Sequence, residues 1–210
     1  MINAQPAVQP ALQPLTILGI PGSVRSASLS RAALVAAQRL LPEQARLEIF
    51  DLEGLPPFNQ DMAARPAARV TEFKRRIREA DAVLFSAPEY LHSILAVLNN
   101  AIDSASWPCG ENAWHGKPVA VMGVSDDPLA DGHTQYRLRH SVTALGMLPV
   151  EQPEVLIRNA RHAFDWRGRL IDASTQAMIR HLLHGLVDGA RRLRQAPTAT
   201  PFNMPFNVTR

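Results

Sequence analysis

A chain of 210 residues with 46% apolar composition is long enough to bury one sizeable core and too short to require two. Its formal charge of +3 is small, and its cations are almost all arginines scattered along the whole length, which argues against a nucleic-acid footprint and for a small anionic ligand. No apolar run approaches the roughly 20 residues of a membrane span, the opening MINAQPAVQPALQP lacks the basic region and continuous apolar core of a signal peptide, and the single Cys109 has no internal disulfide partner. These features lead to the expectation of a soluble cytoplasmic protein that binds neither nucleic acid nor membrane.

Residues 1–14, rich in Pro, Gln and Ala, and residues 195–210, rich in Pro, Thr and Asn, are expected to be tails around one domain spanning 15–194. Within that domain short apolar runs alternate with helical spacing. Residues 15–20 read as a strand buried on both faces. Leu29, Ala33, Leu34, Ala37, Leu40 and Leu41 then recur at three and four, which predicts a helix. A strand at 46–50 precedes a second helix carried by Val70, Phe73, Ile77 and Ala80. A strand at 82–86 leads to a third helix on Ile94, Val97, Leu98, Ala101 and Ile102, and a strand at 118–124 to a fourth on Leu138, Val142 and Leu145. The run 147–157 and a last helix on Ile179, Leu182, Leu183, Leu186 and Leu193 complete the series. Strand and helix in alternation predict a parallel sheet covered on both faces. Ligands of such sheets bind outside the carboxyl ends of the strands, which singles out residues 21–30, 87–93 and 125–133.

The first of these segments reads GSVRSASLS at 22–30. One serine, Ser28 or Ser30, is accounted for as a helix N-cap. Four serines with Arg25 exceed that need and suit a phosphate, which a helix N-terminus stabilises through its unpaired N–H groups and partial positive charge. Both readings stand at this level. A Walker loop fails for want of lysine, and a dinucleotide fingerprint fails because Gly19 and Gly22 are followed by no third glycine in register. A mononucleotide phosphate at the switch point of a flavodoxin-like three-layer α/β sandwich remains, with a five-stranded parallel sheet in order 2-1-3-4-5.

The segment AVLFSAPEYLHSILAVLNNAIDSAS at 82–106 resembles the PEYNxSIPGxLKNAIDW stretch of the NADPH-dependent FMN reductase family. Pro88, Glu89, Tyr90, Ser93, Ile94, Leu98, Asn100, Ala101, Ile102 and Asp103 match it. Gly22, Ser23, Arg25 and Ser28 are in register with the family's GSxRxxSxN loop, with Ser30 at the place of Asn. LPPFNQDM at 55–62, GKPVAVMGVS at 116–125 and FDWRGRLID at 164–172 are similar to further family motifs, the last to FDxxGxLxD. The resemblance implies a flavodoxin-like fold, bound FMN, and NADPH or NADH as co-substrate. It also implies ping-pong reduction of quinones, azo compounds, flavins or metal oxyanions, and assembly as a homodimer or homotetramer. Carried over, Ser23, Arg25, Ser28, Leu29 and Ser30 hold the phosphate, Pro88, Glu89, Tyr90 and Leu91 the ring, and Ser125 with Asp126 its other edge. The chemistry is the flavin's, so no side chain is nominated as acid, base or nucleophile, and no metal is implied.

The chain departs from the family pattern at Leu91, His92, Leu95 and Ala96, and in VSDDPLADG at 124–132, which replaces a glycine-rich loop. Asp126, Asp127 and Asp131 would put negative charge beside the ring and disfavour its reduction; the alternative is a turn at Asp127-Pro128 with its carboxylates in water. That acidic, glycine-poor loop and the loss of Asn at position 91 motivate a second reading, a flavin- or phosphate-binding module with little or no reductase activity. His92 reads as an exposed loop histidine, with protonation of an acceptor as its alternative. His181 and His184 read as a surface pair rather than metal ligands.

Overall fold

The computed structural model describes residues 14–89 and 96–196. The expected tails lie outside it except for Pro14, Gln195 and Ala196. The elements follow one another as β1 (Leu15–Pro21), α1 (Leu29–Leu40), β2 (Ala45–Ile49), α2 (Ala68–Glu79), β3 (Ala82–Pro88), α3 (Ala96–Ser106), β4 (Pro118–Val124), α4 (His133–Ala144), β5 (Leu148–Pro149), β6 (Val155–Ile157), the single turn α5 (Ala160–Ala163) and α6 (Ala173–Gln195). The strands pair in the order β2-β1-β3-β4-β5, every pair parallel, as the alternating pattern predicts.

The run 147–157, expected as one strand, fills the fifth position in two pieces. Leu148 lies opposite Pro118 in β4, and Val155 lies opposite Met122 further along the same strand. Pro149 and Pro153 have no N–H to donate, so the ladder cannot run unbroken between the pieces. The short α5 has no counterpart among the expected elements, because four residues carry no readable period.

Side chains alternate across the central strands and divide the core into two layers. Leu15 and Ile17 of β1, Ala82 and Leu84 of β3, and Ala120, Met122 and Val124 of β4 meet α1 and α6. Leu18, Ile20, Val83, Phe85, Val119 and Val121 meet α2, α3 and α4 on the other face. Trp114 is fully buried in this second layer against Phe73 and Phe85, and its Nε1–H donates to Ile102 O at 3.0 Å, which satisfies the one polar group of the ring. The sequence reading gave Trp114 no role. Asn100 of α3 explains part of the family motif structurally: its Oδ1 accepts the Phe58 N–H and its Nδ2 donates to Pro56 O, pinning the 55–62 segment to the helix. Lys117 donates through Nζ to the Ala80 and Arg78 carbonyls at the end of α2, and burial pushes its pKa down. Cys109 is a free, exposed thiol, and His181 and His184 are exposed on α6. None of the described helices is long and apolar enough to cross a membrane.

Candidate functional site

The site starts where β1 ends. The Gly22 N–H donates to Ser86 O of β3 at 2.8 Å, and a Cβ on Gly22 would lie 2.8 Å from Pro88 Cδ. Only a glycine lets the first loop lie this close to the end of β3. The loop then turns, with Ser23 Oγ accepting the Arg25 N–H at 3.3 Å. Ser28 caps α1: its backbone is extended and its Oγ accepts the Arg31 N–H at 3.3 Å. The first helical bond runs from Ala32 N to Ser28 O, so the amides of Leu29 and Ser30 precede the ladder and are open to an acceptor at the N-terminus.

Ser30 sharpens this. It is 1% exposed, and its Oγ has no hydrogen-bond partner among the described residues. A buried hydroxyl left without a partner costs free energy, so its presence at the end of a well-satisfied helix points to a partner supplied from outside the chain. Ser30 belongs to the lining of a cavity of about 420 Å³ at the carboxyl ends of β1, β3 and β4.

Ser23, Arg25, Ser28, Leu29, Ser30, Pro88, Glu89, Ser125 and Asp126 all line that cavity. Three loops far apart in sequence therefore meet at one place. Tyr90 and Leu91, expected in the same site, and His92 lie outside the described residues. Glu89 spans two of the loops: its N–H donates to Val124 O at 2.9 Å and its Oε2 accepts the Gly132 N–H at 3.3 Å. Gly132 has φ +84, the left-handed conformation that starts α4 there. Ser125 is buried; its N–H donates to Ile157 O and its Oγ accepts the Asp127 N–H at 3.2 Å.

The acidic loop is not a bare run of negative charge. Asp126 Oδ1 accepts the Arg161 N–H, and its Oδ2 pairs with Arg161 Nε at 2.8 Å. Asp127 Oδ1 accepts the Leu129 N–H at 2.8 Å, closing the turn expected at Asp127-Pro128. Asp131 Oδ2 lies 2.8 Å from His133 Nε2. Arg161, which lines the cavity, was missed by the sequence reading. Its one signal was position: it follows β6, at the carboxyl end of another strand of the same sheet. Its distance of 35 residues from Asp126 hides the pairing.

The sequence model of the NADPH-dependent FMN reductase family matches residues 15–162. The chain belongs to the NADPH-dependent FMN reductase family. It is accordingly an oxidoreductase with FMN as cofactor and NAD(P)H as co-substrate. It is 42% identical over 182 residues to an NAD(P)H-dependent FMN reductase of Pseudomonas aeruginosa, covering 86% of this chain and 97% of the relative. A quinone reductase of Pseudomonas putida is 36% identical over 161 residues, 76% of this chain and 87% of that protein. Among solved structures, FerB of Paracoccus denitrificans, a flavoenzyme NAD(P)H:(acceptor) oxidoreductase, superposes with a TM-score of 0.74 at 31% identity, covering 85% of this chain and 98% of FerB. For this member of the family, the residues of the cavity fit the cofactor. It offers an orphaned buried hydroxyl, open helix-terminal amides and a guanidinium at one end, and backbone of Pro88 and Glu89 at the other.

Proposed function

We propose that the chain reduces quinones with NAD(P)H by a ping-pong scheme, using FMN held in the cavity at the carboxyl ends of β1, β3 and β4. The observation that carries this reading is the meeting of the serine-arginine loop, the Pro88–Glu89 backbone and Ser125–Asp126 in one cavity of about 420 Å³. Relatives named quinone reductase support quinones as the acceptor class; azo compounds, free flavins and metal oxyanions are the wider family range.

In this assignment the hydroxyls of Ser23, Ser28 and Ser30, the Leu29 and Ser30 amides, and Arg25 hold the phosphate. Hydrogen bonds from several neutral donors and one cation suit a dianion better than either alone. Pro88 and Glu89, continued by Tyr90 and Leu91, hold the ring. Tyr90 is a wall. Ser125 and Asp126 hold the far edge, with Arg161 offsetting the Asp126 charge. Bound FMN supplies the two-electron chemistry; the chain binds, orients and sets the local charge. We read the protein as a homodimer or homotetramer of one domain, 15–194, acting in the cytoplasm. The alternative of a flavin binder with little turnover rests on the acidic, glycine-poor loop and on Leu91 at the place of Asn; the Asp126–Arg161 pair weakens the first of these grounds.

The test is a spectrum. Full-length protein as purified, or after addition of FMN, is expected to be yellow, to bleach on anaerobic addition of NADPH or NADH, and to recover colour with a quinone. Initial rates against both substrates are expected to give parallel double-reciprocal lines. A preparation that refuses FMN overturns the reading; one that holds FMN without nicotinamide turnover selects the binding module instead. Light scattering of the same sample gives the assembly state.

A further inference from the structure

A second cavity, of about 460 Å³, adjoins the first along two elements. The two share Ala27, Ser28 and Leu29 at the start of α1, and also Arg161, which pairs with Asp126 on the opposite side of the first cavity. The groove therefore opens toward the far edge assigned to the flavin ring as well as toward the phosphate end. A second ligand can enter it past Arg161 while FMN keeps the serine-arginine end.

The outer wall of the groove is the 164–170 hairpin, where the fixed positions of the pattern FDxxGxLxD each have a structural task. Phe164 bridges Leu170, and both are buried. The Asp165 carboxylate accepts the Arg167 and Arg169 N–H groups and Arg169 Nε at 2.7–2.9 Å. Those bonds, the one from the Arg169 N–H first, hold its pKa below the usual carboxylate range and engage its charge within the hairpin. Gly168 takes φ +70, and Asp172 caps α6. The side chains of Trp166 and Arg167, at the positions the pattern leaves open, take no part in this framework. Trp166 is 85% exposed, with the Arg167 guanidinium 4.4 Å from its ring centre. Among the described residues Arg167 is also the one guanidinium lining the groove without a carboxylate partner, since Arg31 pairs with Asp51 and Arg161 with Asp126. An exposed ring on a rigid turn suits the face of a base, and an uncommitted guanidinium beside it suits a phosphate.

From this geometry we propose that the groove holds the adenosine end of the hydride donor and selects NADPH over NADH. The adenine stacks on Trp166, the pyrophosphate crosses at Arg161, and the 2′-phosphate, the one group that NADH lacks, pairs with Arg167. Arg31 adds positive charge along the groove, and Asp165, the one carboxylate among its described lining residues, is engaged in the hairpin. A quinone carries no phosphate and gains nothing from such a lining, so the groove acts on the donor and not on the acceptor. The proposal rests on the assignment of the first cavity to FMN and deepens it.

The test combines binding with donor preference. FMN-loaded full-length protein is titrated calorimetrically with adenosine 2′,5′-bisphosphate and with adenosine 5′-phosphate, and kcat/KM is measured for NADPH and NADH with one quinone. The wild type is expected to prefer the bisphosphate, and NADPH, by about tenfold to a hundredfold, the worth of one charge-assisted phosphate contact. Arg167→Ala is expected to lower both preferences about tenfold, through KM for NADPH rather than through kcat, and Arg167→Lys to restore part of them. Trp166→Ala is expected to weaken both nucleotides alike, and Trp166→Phe to recover most of the loss. Equal use of NADPH and NADH by the wild type, or a preference that Arg167→Ala does not move, overturns the subsite while leaving the FMN assignment standing. A change of native mass in Trp166→Ala with nucleotide binding unmoved makes Trp166 a subunit contact and likewise overturns it. Refusal of FMN overturns the flavin assignment and the subsite together.

Discussion

Gly22→Ala tests whether the close approach of two loops builds the site. Its Cβ would fall 2.8 Å from Pro88 Cδ and 3.2 Å from Ser86 O, against about 3.5–4.0 Å for an ordinary carbon–carbon contact. Neither neighbour is a flexible side-chain tip. Pro88 is a ring paired into the sheet opposite Val124, and Ser86 O is backbone already bonded to the Gly22 N–H. The first loop must therefore move by about half an ångström or more, at an overpacking cost of roughly 1–3 kcal/mol. For a domain of this size that lowers Tm by roughly 3–10 °C. The same movement separates the phosphate end of the cavity from the Pro88–Glu89 end, so FMN affinity is expected to fall about tenfold, the loss of one well-aligned charge-assisted bond. Thermal unfolding followed by circular dichroism and flavin fluorescence titration read the two effects. Gly189→Ala serves as the control: it lies in α6 with its added Cβ 4.0 Å from the nearest atom, and is expected to stabilise by about 0.5–1 kcal/mol without touching flavin affinity. A Gly22→Ala protein with Tm within about 1 °C of wild type and unchanged affinity would refute the reasoning, because the loop would then yield freely.

Arg25→Ala removes a charge-assisted phosphate contact of roughly 1.5–3 kcal/mol, and FMN affinity measured by titration should fall about tenfold to a hundredfold with little change in Tm. Arg161→Ala leaves Asp126 uncompensated beside the cavity, so the midpoint potential of the flavin-loaded protein should become more negative, and Asp126→Asn should shift it the other way; spectroelectrochemical titration reads both. Stability should change by less than about 1 kcal/mol in either, since the pair is exposed. Asp172 caps α6, and bonds from the Thr175 side chain and backbone and the Ser174 hydroxyl hold its carboxyl below the usual range. A depressed carboxyl contributes stability above its unfolded pKa that is lost as pH falls through the folded one, so Asp172→Asn should flatten the loss of stability between about pH 5 and 2, measured by denaturant unfolding at stepped pH.

Much of this protein was legible before folding because its signals are local. Strand and helix periods placed β1, α1, β3 and β4 close to their observed limits, since each period reports one buried face, while the spacing from Ile179 to Leu193 found α6 but not its first turns from Ala173. Ser28 as a cap was legible for the same reason: its partner, Arg31, is three residues away. The two-piece fifth position was not, because a run such as 147–157 shows burial without showing which residues keep the ladder. Trp114 was silent because a single tryptophan has no period, and only the meeting of α2, β3 and the 112–116 turn surrounds it.

At the site the division is sharper. The sequence by itself determined the donors: the serines, Arg25 and the Pro88–Glu89 backbone are present whatever their neighbours, and their chemistry suits a phosphate and a flat ring. Tertiary structure alone decided the charge. Whether Asp126 stands as a bare anion beside the cavity depends on Arg161, 35 residues away and brought within 2.8 Å by the parallel pairing of β6 with β4. Coulomb energies follow distance through space, and a linear sequence does not contain that distance until the sheet is assembled.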